Sequence, residues 1–277
     1  MINGIGIGLR PEILDALLTN ERPLPAFVEL SPEHWMGVGG FNRHMFEKVV
    51  SRYPIMGHGL SLSLGSPDPL DWNLLKKIKA FIADTSMVLF SEHLSFSKCD
   101  NAHLNGLFPL PFRYDVARHM IERIKQVQDF LGKQIAIENI SYYTTVAPEI
   151  EESTFLSFIA NESDCLILLD VSNVFVNGSN HGYDPKTFIS QLPLNRIGYI
   201  HLAGNYIDDE GYIIDSHDRP VNDTVRDLLD WTASKIRPVP VLVERDLNFP
   251  EDFQNIYKEL EELQEILNRH WKPFYEK

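Results

Sequence analysis

Cysteine is scarce: Cys99 and Cys165 are the only two among 277 residues, too few for the disulfide framework that holds small secreted domains together. Basic residues are short as well. The chain has 25 Lys and Arg against 39 Asp and Glu, a formal charge of −14, which argues against a surface built to coat nucleic acid. No apolar run is long enough to span a bilayer, and Met1 leads into a strand-like run without the basic n-region of a signal peptide. The expectation is a soluble, cytoplasmic protein with neither a nucleic acid nor a membrane as partner. Low-complexity stretches are missing too. An apolar share of 44% with 23% charged residues is ordinary for a globular chain with a large core.

What is there is a repeated alternation. Eight short apolar runs occur at 4–9 (GIGIGL), 26–30 (AFVEL), 54–60 (PIMGHGL), 87–93 (MVLFSEH), 134–139 (QIAIEN), 165–171 (CLILLDV), 197–202 (IGYIHL) and 239–244 (VPVLVE). Their apolarity is continuous, as in strands covered on both faces. Longer helical patterns separate them. The clearest covers 113–131, where Val116, Met120, Ile124, Val127 and Leu131 follow helical steps and Gly132 supplies a stop. Other helices are expected at 11–18, 41–51, 70–83, 153–160, 185–192 and 221–235. A last one after Pro250 carries Phe253, Ile256, Leu260, Leu263 and Leu267 on one stripe. Eight strands alternating with eight helices read as a (β/α)8 TIM barrel, with no linker or internal repeat to divide it, so residues 1–277 are expected to form one domain.

One run after another ends in a good metal ligand: His58, His93, Glu138, Asp170, His201 and Glu244, on strands three to eight. In a parallel barrel these ends open onto one face, so residues far apart in sequence converge. A lone His or Glu near a strand end is an ordinary polar residue. Three imidazoles and three carboxylates in one partly buried mouth carry a charge and desolvation cost that a cation offsets. Asp215 and His217, in a loop after strand seven, and Asn173, three residues past Asp170, suggest a further metal position. Glu29, Glu92 and Asn139 are expected to support the ligands. Mixed imidazole and carboxylate donors suit zinc, iron or manganese, and no cysteine stands at a ligand position. Cys165 opens an apolar strand and is expected in the core, while Cys99, in the polar KCDN segment, is expected in a solvent-facing loop. The glycines of GIGIG do not have dinucleotide-fingerprint spacing.

Several longer segments carry a family resemblance: GIGLR at 6–10, HGLSLSLGSPDPLD at 58–71, SEHLSFS at 91–97, FPLPF at 108–112, IENISYY at 137–143, LLDVSNVFVN at 168–177, NHGYDP at 180–185, HLAGN at 201–205 and DSHDRPV at 215–221. In type and order they resemble the multinuclear non-haem iron-dependent oxidative enzymes, typified by the methanobactin and thiaglutamate pathway enzymes. The resemblance runs from about Gly4 to Pro250 and implies a TIM barrel of the xylose isomerase and endonuclease IV type. It implies that His58, His93 and Glu138 hold one metal. Glu138 then bridges to a second held by Asp170, His201 and Glu244, and Asn173, Asp215 and His217 hold a third, with Glu138, Asp170 and His217 the catalytic members. It further implies two or three irons of mixed Fe(II)/Fe(III) valence, dioxygen as co-substrate, and oxidation of a side chain, most often cysteine, in a ribosomally made precursor peptide. A small partner protein that grips the peptide's leader is implied as well.

Three rival readings share the pattern. An endonuclease IV type hydrolase fits the ligand order, but that pattern has a His where this chain has Asn173, and the acidic balance opposes it mildly. A sugar isomerase on the same barrel normally places a Lys near the metals, and none stands among the strand-end residues. A non-catalytic iron-binding protein would keep the barrel without turnover. Arg10, Arg219 and Arg245 lie near strand ends, positioned to bind substrate carboxylate, to neutralise ligand charge, or to close salt bridges within the rim.

Overall fold

The computed structural model describes residues 2–100, 102–144, 148–250 and 252–271. Residue 101 of the KCDN segment and the extreme ends of the expected 1–277 unit lie outside the described residues. Eight parallel strands close into a barrel in chain order: β1 (Gly4–Gly8), β2 (Val28–Leu30), β3 (Ile55–His58), β4 (Leu89–His93), β5 (Ala136–Glu138), β6 (Leu166–Asp170), β7 (Ile197–Ala203) and β8 (Pro240–Glu244). β8 returns to pair with β1, with Ile5 opposite Val241 and Ile7 opposite Val243. No barrel edge is left open.

The period of two along each strand explains the continuous apolar runs. Outward residues such as Ile55, Ile137, Ile167, Leu169, Ile200 and Val243 pack in the main core, beneath the helices. Inward residues Phe27, Met56, Ala136, Leu168, Tyr199 and Leu242 form a separate cluster that plugs the barrel. β1 contributes no bulk to the plug at Gly6, where an added Cβ would lie 2.4 Å from the Phe27 ring. Two residues further along each strand, the next inward position is polar: Glu29, His58, Glu138, Asp170, His201 and Glu244. The candidate ligands are therefore one layer of side chains resting on an apolar floor.

The helices follow the expected periodicity with small shifts at their ends. The helix expected at 113–131 spans Tyr114–Leu131 and ends at Gly132, whose φ of +75° lets its N–H return to Gln128 O at 2.8 Å. That expected at 70–83 spans Trp72–Asp84, and Asp71 caps it by accepting from the N–H groups of Asn73 and Leu74. The last helix, Gln254–Asn268, starts four residues after Pro250.

Four features depart from the one-helix-per-strand expectation. β2 is followed by a short extra helix, Pro32–Trp35, before the expected one, which spans Gly40–Arg52. β6 is followed by two helices, Val171–His181 and Pro185–Gln191. The first is absent from the sequence-based expectation because VSNVFVNGSNH is rich in β-branched, Asn and Gly residues of low helix propensity. Burial of Val171, Val174 and Val176 overrides that preference. β4 is followed by an antiparallel hairpin of Ser95–Cys99 with Ala102–Pro109, and β7 by one of Asn205–Ile207 with Ile213–Asp215. Cys99 thus ends a hairpin strand, half-buried, rather than lying in a solvent-facing loop, whereas Cys165 is fully buried as expected.

Where helix Glu152–Ser163 begins, the buried Glu152 carboxyl accepts from Tyr142 Oη at 2.9 Å. Burial pushes its pKa up to about 8, the Tyr142 hydrogen bond opposing only weakly. The native state thus keeps a proton that the unfolded chain loses near the ordinary carboxyl value. This contribution is full at acid pH and is lost as pH rises through about 8. Urea unfolding at pH 5.5 and 7.5 is expected to show a steeper fall in stability for the native protein than for Glu152→Gln. The difference is at most about 1.4 kcal/mol per pH unit; identical slopes would contradict the assignment.

Candidate metal centre

β3 and β4 deliver His58 and His93 with their Nε2 atoms 2.9 Å apart. His58 is oriented from behind. The single Ser91 hydroxyl proton goes to Gly57 O at 3.0 Å, so Ser91 Oγ accepts from His58 Nδ1–H at 2.8 Å and Nε2 is left facing the barrel mouth. His201 is held the same way, with Nε2 3.0 Å from Glu29 Oε2 and Nδ1 turned inward. Glu138 lies between these rings, Oε2 3.0 Å from His58 Nε2 and 3.3 Å from His93 Nε2, and Oε1 3.2 Å from His201 Nδ1. Glu244 Oε2 approaches His201 Nδ1 at 3.4 Å.

Asp170 does two jobs with its two oxygens. Its Oδ1 accepts from Asn173 N at 2.7 Å and caps helix Val171–His181, while Oδ2 is buried without a partner. Asn139 locks the end of β6 by accepting from Asp170 N and donating to Asp170 O, both at 3.0 Å. Asn173 therefore sits in the first turn of a helix rather than in a loop. Its Nδ2 donates to Asn139 O at 3.0 Å, leaving Oδ1 buried and unpartnered.

Asp215 and His217 arrive from the second hairpin and the turn after it. Tyr143 Oη accepts from Asp215 N at 3.0 Å, and Ser141 Oγ donates to Asp215 Oδ2 at 3.1 Å. His217 adopts a left-handed backbone, φ +53°, with its N–H on Gly204 O at 3.0 Å. Gly204 is needed for that approach, because an added Cβ would lie 1.9 Å from Arg219 O. His217 Nε2 and Asp215 Oδ1 lie 2.9 Å apart, yet each is buried without a hydrogen bond of acceptable geometry.

The structure thus brings together all nine residues picked out in the sequence, with two tight groups among them. His58, Glu138 and His201 offer ligand atoms within 4.8 Å of one another, and so do Glu138, Asp170, His201 and Glu244. A cavity of about 400 Å³ opens above them, lined by His93, Glu138, Asn173, Asp215, His217 and Glu244 on the polar side. Leu107, Phe108, Ile140 and Tyr142 form its apolar wall.

The charges of this layer are unbalanced as they stand. Burial opposes a charge on His58, but Glu138 and, more distantly, Glu29 outweigh it and lift its pKa to about 9. His201 and His217 are likewise raised against burial, by Glu29, Glu244 and Glu138 in the first case and by Glu244, Asp215 and Asp246 in the second. Burial and the neighbouring His58 push His93 the other way, to about 4. Asp170 is raised well above the carboxylate range by burial and by the Glu138, Asp215 and Glu244 charges. Three histidines that hold protons against burial beside carboxylates, with ligand atoms short of well-formed hydrogen bonds, make a layer arranged around positive charge, and imidazole with carboxylate donors suits a divalent transition metal.

Glu29 and Asn139 support the ligands as expected. Glu92 does so through the backbone, accepting from Leu62 N at 3.2 Å and His93 N at 3.3 Å. The sequence reading missed Ser91, Ser141, Tyr143 and Asp246, whose Oδ2 lies 3.3 Å from His217 Nδ1. Asp246, two residues past Glu244, continues the alternation of β8, and that spacing was the available signal. The arginines near strand ends close salt bridges within the rim: Arg10 with Asp246, Arg219 with Asp218 at 2.7 Å, and Arg245 with Glu259 at 3.3 Å.

A closed parallel barrel with an imidazole and carboxylate layer at its carboxyl mouth defines a TIM-barrel protein whose strand ends carry side chains able to hold a metal, and solved structures agree on the fold. Endonuclease IV from Thermus thermophilus superposes with a TM-score of 0.59 at 13% identity, covering 96% of this chain and 99% of that one. The 3-keto-D-glucoside 4-epimerase from E. coli gives 0.58 at 15%, covering 95% and 99%. Identities so low establish the fold alone. The sequence goes further: residues 4–268 match the model of the RiPP precursor modification enzymes MbnB/TglH/ChrH, and the chain belongs to that family. It is also similar to UPF0276 proteins. One from Alcanivorax borkumensis is 40% identical, covering 91% of this chain and 87% of that protein, and one from Pasteurella multocida is 39% identical, covering 98% and 97%.

Glu29→Gln keeps an acceptor for His201 Nε2–H but removes the charge that makes the ring a stronger donor. A competitive titration with a chromophoric chelator is expected to show metal affinity about 10-fold weaker or more. Unchanged affinity would mean that Glu29 has no part in holding the ligand.

Proposed function

We propose that this chain oxidises a side chain, cysteine foremost, of a ribosomally made precursor peptide, using iron and dioxygen. The observation that carries the reading is the set of buried ligand atoms that lack a hydrogen bond of acceptable geometry, Glu138 Oε2, Asp170 Oδ2, His201 Nδ1, Asn173 Oδ1, Asp215 Oδ1 and His217 Nε2, facing one mouth. Membership of a family of precursor-modifying enzymes supplies the substrate class. In this reading His58, His93 and Glu138 would hold one iron, and Glu138 would be shared with a second held by Asp170, His201 and Glu244. Asn173, Asp215 and His217 would hold a third. The short distances from Glu138 to His58, His93 and His201 support the bridging role.

Two or three bound irons of mixed Fe(II)/Fe(III) valence would supply one-electron chemistry with dioxygen and Lewis acidity toward a substrate thiol. The protein's own residues do the rest. Glu138 and Asp170 set the charge of the layer, and His217 Nδ1, beside Asp246 at the rim, holds or passes a proton. Leu107, Phe108, Ile140 and Tyr142 exclude water above the site and fix the peptide side chain over it. The whole chain acts as one barrel domain in the cytoplasm, and a small leader-binding partner protein presents the peptide. None of the described helices is long and apolar enough to cross a membrane. The hydrolase and isomerase readings rest on fold likeness alone.

Protein purified without oxygen is expected to carry two or three irons with coupled mixed-valence Mössbauer signals, and to consume dioxygen with a Cys-containing precursor peptide. Replacing that cysteine by Ser should abolish turnover. Full zinc or manganese occupancy that iron cannot replace would overturn the reading. Among variants, Glu138→Gln is expected to lose more than one iron and Asn173→Ala only one; equal losses by elemental analysis would refute the bridging assignment.

A further inference from the structure

A second cavity, of about 650 Å³, lies beside the metal-side pocket, and Tyr142 lines both. Its walls are aromatic. Tyr142 stacks on His181 with ring centroids 4.6 Å apart, and Tyr183 stacks on Phe188 at 5.5 Å. Glu152 stands within it, its side chain deep in the structure at 7% exposure, with Tyr142 Oη as the one hydrogen-bond donor on its carboxyl. The Tyr183 hydroxyl is buried there beside the Asn177 side chain, without a hydrogen bond of good geometry.

The other charged groups among the described residues that line the cavity are the acids Glu149, Glu151 and Asp184, and no described Lys or Arg lines it. Glu149 is drawn outward by Arg113 at 3.5 Å, and Asp184 is spent on capping helix Pro185–Gln191. His181 is engaged as well, its Nε2–H donating to Tyr142 O at 2.8 Å. An anionic occupant is repelled by this lining. A purely apolar one leaves the buried Glu152 carboxyl with Tyr142 as its one described donor and the Tyr183 hydroxyl without a well-formed hydrogen bond, at a cost that further hydrogen bonding avoids. A planar cation with several N–H donors meets all three demands: it pairs with the carboxylate, donates to the phenol oxygen and lies flat on the aromatic walls.

We propose that this second cavity is a subsite for the guanidinium of an arginine in the precursor peptide, held between Glu152 and the Tyr142 and Tyr183 rings. The inference rests on the peptide-modifying reading for the identity of the ligand. Because Tyr142 separates the two cavities, a seated arginine places a nearby residue of the same peptide over the metal layer. Burial also lifts the Glu152 pKa to about 8, consistent with a carboxyl that lacks its cation.

The test uses N-acetyl-arginine methylamide and its uncharged counterpart, N-acetyl-citrulline methylamide, each titrated calorimetrically into the full chain. The arginine compound is expected to bind saturably and at least about 10-fold more tightly than the citrulline compound, a difference of ~1.4 kcal/mol. Glu152→Gln should reduce arginine binding to the citrulline level, and Tyr183→Phe should weaken it by a smaller factor, with circular dichroism confirming that each variant is folded. Tyr183→Phe keeps the test alive if Glu152→Gln does not fold. Equal binding of the two compounds, absence of binding, or arginine binding unaltered by the folded variants would overturn the proposal. The titration needs neither iron nor turnover. Binding without peptide oxidation would therefore leave the subsite standing and remove the oxidase reading, and oxidation without binding would do the reverse.

Discussion

Four carboxylates and three imidazoles, from Glu29 on β2 to Glu244 on β8, are buried or nearly so in one layer across the barrel mouth. Taking each charge out of water costs several kcal/mol even after relaxation, so the layer is tolerable only with compensating positive charge. Protons supply part of it on His58 and His201, and a metal would supply it more completely, because the ligand atoms already point inward. The rest of the architecture serves that constraint. The apolar plug of Met56, Leu168, Tyr199 and Leu242 keeps water from reaching the layer from below, and the Ser91, Glu29 and Asn139 hydrogen bonds hold the ligand atoms facing the mouth.

The layer is asymmetric in its rigidity. His58, His93, Glu138, Asp170 and His201 stand on barrel strands, where pairing on both sides fixes the backbone. Asp215 and His217 stand on a hairpin and a turn that are docked by Gly204, Ser141 and Tyr143. This division suits a site with a fixed core and an adaptable side facing the cavity, since loop-borne groups adjust to a substrate at lower cost than strand-borne ones. The exposed apolar residues Leu107, Phe108, Tyr143, Tyr206, Ile207 and Tyr212 belong to the same hairpins and loop. They give the mouth an apolar rim of the kind a peptide covers.

Much of this was legible because a parallel barrel converts sequence position into spatial position by a simple rule. Counting eight runs was enough to bring His58 and Glu244 to one face, although 186 residues separate them in the chain. Helix Val171–His181 was not legible. Its residues have low helix propensity, and burial against β7 and the second hairpin decides the conformation instead. The hairpins escape a reading of the sequence because their strands are short or mixed in character, as in the largely exposed AHLNGLFP, where alternation is weak.

The order and type of strands, the inward period of two and the residue kinds at the strand ends were determined by the sequence alone, because each depends on local chemistry and a fixed geometric repeat. The tertiary structure decided which oxygen of Asp170 caps a helix and which faces the mouth. It decided that Ser91 and Glu29 orient the two histidines, and that Asp246 reaches His217. It also placed a buried carboxyl in a second cavity beside the first. Those outcomes turn on distances of a few ångströms between side chains remote in sequence, and only the closed barrel brings them within hydrogen-bonding range.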